Sequence, residues 1–83
     1  MAKAEERLFS TLDIYLASFF SFNKLSPILE LKNGRVVFSF PANEALYKLM
    51  MDFNSNVSVP VADFVTAVKT LRGQMLTMRG LGK

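Results

Sequence analysis

The sequence predicts a small α+β domain, an antiparallel β-hairpin covered on one face by three helices in the order α-β-β-α-(β)-α, the bracketed strand being short. Three observations predict it. The stretch from Ile28 to Phe40 holds Asn33-Gly34 between two runs rich in apolar residues, and Asn-Gly is the strongest short hairpin signal because a type I′ turn needs positive φ at both central residues. A two-residue loop sets Lys32 against Arg35, Leu31 against Val36, Glu30 against Val37, Leu29 against Phe38 and Ile28 against Ser39. One face then collects Leu29, Leu31, Val36, Phe38 and Phe40. Such a ribbon is marginal alone in water, and the flanking segments, which carry helical periodicity, must cover it.

Taken in order, residues 1–6 are polar and expected to fray. A helical period starts at Leu8: Leu8, Leu12, Tyr15, Phe19 and Phe22 share a side widened by Phe9, Leu16 and Phe20, with Ser10, Asp13, Ser18 and Ser21 opposite. Ser10 or Thr11 would serve as N-cap with Asp13 in the first turn, leaving residues 5–10 as either an extra helical turn or an extended lead-in. Asn23 to Ser26 end this helix, and Pro27 opens the first strand. After the hairpin, Pro41 blocks further pairing. Ala42, Ala45, Leu46, Leu49, Met50 and Phe53 then follow the i, i+3, i+4, i+7, i+8, i+11 rule, a helix from about Ala42 to Phe53 stopped by Asn54-Ser55-Asn56. Val57 to Pro60 is β-branched and alternating, and is the source of the short extra strand. Val61, Phe64, Val65, Val68, Leu71 and Met75 line one side of a third helix that starts after Pro60 and runs from about Val61 to Arg72 or a turn beyond, with Gly73 as a candidate end. The expected organisation is one domain over residues 1–83, with a core from 8 to 75 and a flexible basic tail from 76 to 83.

Composition narrows the chemistry. The chain has 83 residues, no Cys and no His, so a disulfide, a Cys/His zinc site, a Cys nucleophile and a His-based triad are all excluded. Its four glycines, Gly34, Gly73, Gly80 and Gly82, form no phosphate-cradling loop. Asp13, Glu44 and Asp63 each fall in the first turn of an expected helix, where a carboxylate ordinarily supports the dipole. No nucleophile has a base to activate it, so the chain reads as a non-enzyme with no cofactor and no metal. The hydrophobic fraction is 51%, including eight Phe and five Met; a chain this small with that much apolar surface often buries the surplus in a partner, and a homodimer is the expectation. No run approaches the roughly 20 apolar residues that cross a bilayer, and the acidic start lacks the pattern of a secretory signal, which points to the cytoplasm.

The net charge is +3, and residues 69–83 hold Lys69, Arg72, Arg79 and Lys83 with no acid. Lys32 and Arg35 flank the hairpin turn, and Tyr47 stands beside Lys48 on the outer side of the second helix. A basic hairpin tip plus a cationic tail grips phosphates, and an exposed Tyr stacks on a base. The candidate nucleic-acid contacts are therefore Lys32, Arg35, Tyr47, Lys69, Arg72, Arg79 and Lys83. The rival expectation is a protein-interaction or inhibitor module, self-associating, that uses the second face of the hairpin or an exposed strip of Phe and Met.

Thr11-Leu12-Asp13-Ile14-Tyr15-Leu16-Ala17, a strand pair ending Val36-Val37-Phe38-Ser39-Phe40, a Leu-rich helix, and Val57 leading to Phe64 and Ala67-Val68-Lys69 together resemble a family of small, functionally uncharacterised domains found in bacteria, archaea and their viruses. The likeness spans about residues 11–72. Members typically have Gly where this chain has Asn23 or Lys24. The resemblance implies no catalytic residues, favours a first helix beginning near Thr11, and implies a viral or mobile-element setting in which small nucleic-acid binders and small inhibitors of host proteins are both common.

Overall fold

The computed structural model describes residues 7–81, in which the chain runs β1 (Leu8–Thr11), α1 (Ile14–Phe22), β2 (Ile28–Lys32), β3 (Arg35–Pro41), α2 (Glu44–Asn54) and α3 (Val61–Leu81). The hairpin has the register its turn dictates, from Lys32 opposite Arg35 to Ile28 opposite Ser39. Asn33 and Gly34 both have positive φ, 52° and 79°, as a type I′ turn requires. Leu29 and Leu31 of β2 and Val36, Phe38 and Phe40 of β3 turn to the helices, which lie on that face. The fold is thus α+β, with the hairpin at its centre.

The third strand is not Val57–Pro60, which forms no strand, but Leu8–Thr11, the stretch whose spacing also fits a helix. The sheet order is β1-β3-β2, all antiparallel, with Phe9 opposite Phe40 and Thr11 opposite Phe38. The reason lies in β3, whose Val36, Phe38, Ser39 and Phe40 are buried. A strand so enclosed needs partners for the backbone groups on both of its edges, and β2 supplies only one. β1 supplies the other, and the pairing extends to the Ala42 N–H, which donates to the Arg7 carbonyl at 2.9 Å. Pro41 therefore ends the pairing with β2 but not with β1, because its missing N–H faces the side where β2 has already finished. On the outer face Ser39 is buried although polar, and the Ser10 and Ser39 hydroxyls share a hydrogen bond of 2.8 Å.

With residues 8–11 extended, α1 starts later than Ser10 or Thr11 would set it. Asp13 is the N-cap, its carboxylate accepting from the Tyr15 and Leu16 N–H groups at 2.9 and 3.3 Å, while the Thr11 hydroxyl accepts from the Asp13 N–H at 3.0 Å. The buried side of α1 is Ala17, Ser18, Phe19 and Phe20, so Leu12 and Tyr15, expected inside, stay about half exposed (52% and 53%). Phe20 sits at the centre of the core, edge-on to Phe40 at 5.0 Å and to Phe9 at 6.1 Å between ring centroids. Ser18 Oγ is buried with no hydrogen-bond partner among the described residues.

Both short helices close with the same device. At the end of α1 the Leu25 N–H donates to the Phe20 carbonyl and the Lys24 N–H to that of Ser21, with Lys24 at φ 72°. At the end of α2 the Val57 N–H donates to Asp52 and the Asn56 N–H to Phe53, with Asn56 at φ 61°. These are Schellman closures, which want a residue that tolerates the left-handed conformation. Asn56 does so readily; Lys24 does not, and it occupies one of the two positions where Gly is expected from the resemblance.

α3 corrects the remaining expectation. It runs past Gly73, and past the one further turn expected, to Leu81, so residues 76–81 of the expected tail are helical and residues 82–83 lie outside the described part. Phe64, Ala67, Leu71, Met75 and Met78 keep a helical stripe across Gly73, and Leu71 is buried with Phe64, Met75 and Met78 packed on the core. Burial of that stripe outweighs the cost of about 1 kcal/mol for a mid-helix glycine.

Two substitutions test these assignments by urea unfolding. Nothing lies within 4 Å of a Cβ built on Gly73, so Gly73→Ala is expected to stabilise by about 0.5–1 kcal/mol; a loss of stability would mean that Gly73 ends the helix. Lys24→Gly relieves a left-handed residue and is expected to stabilise by about 1 kcal/mol.

Candidate functional site

The long third helix has two flanks beside its buried stripe. Along one of them Val65, Arg72, Leu76 and Arg79 recur at helical spacing, and this flank faces the start of α1 and the hairpin turn. Tyr15 of α1 lines a shallow groove of about 410 Å³ with Val65, Val68, Lys69 and Arg72. Next to it, Arg35 of β3 and Arg79 of α3 line a depression of about 330 Å³ together with Leu12, Gly34, Val36 and Met75. Seven residues of helix separate Arg72 from Arg79, a rise of about 10 Å.

Each depression thus holds two cations, and Arg72 and Arg79, one from each, lie on one side of α3 with the half-exposed side chains of Val65 and Leu76, while Leu12 and Tyr15 line the depressions from the other wall. Among the described residues none of the four has an ion-pair partner. Among the described residues the one ion pair joins Lys32 Nζ to Glu30 Oε1 at 3.4 Å, and both partners are more than half exposed.

The expected contact residues therefore divide. Arg35, Lys69, Arg72 and Arg79 are brought together. Lys32 stands directly opposite Arg35 on the outer face of the hairpin, but it is paired with Glu30 and lines neither basic depression. Tyr47 is half exposed on α2, which packs on α1, and it lines neither basic depression. Lys83 lies outside the described residues. Tyr15 is the aromatic residue placed among the cations, and the sequence reading assigned it to the core. Its helix is apolar on nearly every side, so periodicity alone does not tell which face turns inward.

Asp13 and Asp63, expected to support helix dipoles, do so as the N-cap of α1 and a first-turn acid of α3, and Glu44 occupies the first position of α2 behind its N-cap Asn43. No helix among the described residues is long and apolar enough to cross a membrane.

Among the described residues no acid pairs with these cations, and exposed charges without a partner add little to stability. Arg72→Ala and Arg79→Ala are each expected to leave unfolding free energy within about 0.5 kcal/mol of the parent. A larger loss in a chemical unfolding curve would show that the flank is structural rather than a surface held open for a ligand.

Comparison with known proteins returns a single kind of match. No curated protein and no solved structure matches the chain. The model of a domain family described as "Domain of unknown function (DUF5659)" matches residues 6–77, a span that takes in the whole sheet, α1, α2 and most of α3. The chain belongs to this family of uncharacterised domains.

Proposed function

We propose that the protein is a non-enzymatic module that binds nucleic acid along the Tyr15 flank of α3, with Lys69, Arg72, Arg79 and Arg35 on phosphates and Tyr15 stacked on a base. The observation that supports this most directly is the placement of one half-exposed aromatic ring beside Lys69 and Arg72, with Arg79 two helical turns further along α3 in a second depression that Arg35 also lines. A cationic track interleaved with a stacking platform suits an unpaired strand, because every base has a π-face and no sequence-reading edge contacts are required. The viral or mobile-element setting implied by the resemblance, and a cytoplasmic location, are in keeping with this reading. Lys32 and Tyr47 have no part in it.

A second reading, a protein-interaction or inhibitor module that self-associates, is favoured by the apolar side chains left in water. Met51 and Val61 are 69% and 74% exposed, and no described residue covers them.

The test is a fluorescence-anisotropy titration of labelled single-stranded oligonucleotides at two salt concentrations. If four cations each displace a counterion, a fourfold rise in salt weakens binding by roughly 50-fold. Arg72→Ala lowers the salt slope by about 0.7, and Tyr15→Ala costs about 1–3 kcal/mol with the slope unchanged. Absence of binding at low salt, or binding indifferent to salt, contradicts the proposal.

A further inference from the structure

The sheet ends on β2, and among the described residues nothing pairs with its outer edge. Residues flanking a two-residue turn exchange both of their backbone hydrogen bonds, and the pattern then alternates. The N–H and C=O groups of Ile28, Glu30 and Lys32 therefore point at β3, and those of Leu29 and Leu31 point outward. The edge is five residues long and carries neither a Pro nor a bulge, two of the usual devices that keep an edge from pairing. Beneath it, Leu29 and the side of α3 that carries Lys69, Thr70, Gly73, Gln74 and Met78 line an open cavity of about 650 Å³.

We infer that β2 pairs antiparallel with β2 of a second copy of this chain, Leu31 against Leu31, to make one continuous six-stranded sheet. The occupant follows from the strand's own charges. Outward-pointing residues must meet outward-pointing residues, which leaves three close registers. With Leu29 against Leu29, Leu31 meets Pro27, which has no N–H to give. With Leu29 against Leu31, Glu30 stands directly opposite Glu30, a like-charge pair. With Leu31 against Leu31, Glu30 of each copy stands opposite Lys32 of the other, twice over, on the outer face. The edge is thus its own complement about a two-fold axis, the geometry of an isologous contact. In that register Leu29 and Leu31 of the second copy prolong the apolar face of the sheet above the cavity.

Lys69 lines both this cavity and the groove beside Tyr15, so the two surfaces meet at that residue, but the β2 edge residues Glu30, Leu31 and Lys32 take no part in the proposed nucleic-acid contacts and test the pairing on their own. Sedimentation equilibrium of the full chain, from micromolar to millimolar protein, tests it. A monomer–dimer equilibrium is expected. Glu30→Lys and Lys32→Glu each place like charges opposite one another and raise the dimer dissociation constant by roughly tenfold, while the double exchange E30K/K32E returns it to within about threefold of the parent. Leu31→Pro removes an outward N–H on the edge that no described residue pairs with and abolishes the dimer; the charge exchanges, at exposed positions, carry the test if that variant does not fold. A strict monomer at millimolar concentration overturns the inference. So does a dimer whose constant ignores the charge exchanges, or a double exchange no tighter than the singles.

Discussion

The structure depends on one constraint, the enclosure of β3 on both edges and one face. Val36, Phe38 and Phe40 carry the apolar side into the helices, and all three are buried. Burying their backbone commits β3 to partners on both sides, because an unpaired buried N–H or C=O costs as much as a lost hydrogen bond. The Asn33-Gly34 turn supplies β2 locally. β1 has to come from elsewhere in the chain, and the segment ahead of α1 is recruited. That recruitment fixes where α1 begins, hence which side of it faces the core. Phe20 is locked between Phe9 of β1 and Phe40 of β3, and Tyr15, on the side turned away, is left in water beside α3.

The candidate site is therefore a by-product of the sheet. The same rotation of α1 that buries Ala17 and Phe20 turns Tyr15 toward Lys69 and Arg72. The turn that forms the hairpin brings Arg35 within reach of the depression shared with Arg79. α3 joins the two because it stays helical across Gly73. Had it ended at Arg72, Arg79 would belong to a separate segment and the four cations would have no common frame. The next side of α3 faces the open edge of β2, and Lys69 stands where the two surfaces meet.

How much of this could be read from the residues alone depended on how local each signal was. The hairpin and its register were legible because Asn33-Gly34 and the alternation around it leave one solution. α2 was legible to within two residues, since its apolar spacing is unbroken and Asn43 caps it through the Leu46 N–H at 2.9 Å. Leu8–Thr11 was not, because Leu-Phe-Ser-Thr fits a helical stripe as well as a strand, and the deciding influence is the need of a strand some thirty residues away. The end of α3 was obscured by Gly73, a frequent stop signal, although Met75 and Met78 continue the stripe. Of the site, the cations were visible in the composition of residues 69–83, whereas the exchange of Tyr47 for Tyr15 was invisible to any periodicity argument on a helix apolar nearly all round.

The central claim is most directly tested by amide hydrogen exchange along β3, residue by residue. By the alternation of an antiparallel ladder, the Val37 and Ser39 amides bond to β2 and the Phe38 and Phe40 amides to β1. The account predicts that both sets are protected to the same degree, at the level of global unfolding. Slow exchange at Val37 and Ser39 with fast exchange at Phe38 and Phe40 would contradict it, reducing the sheet to its hairpin and removing the reason for the orientation of α1.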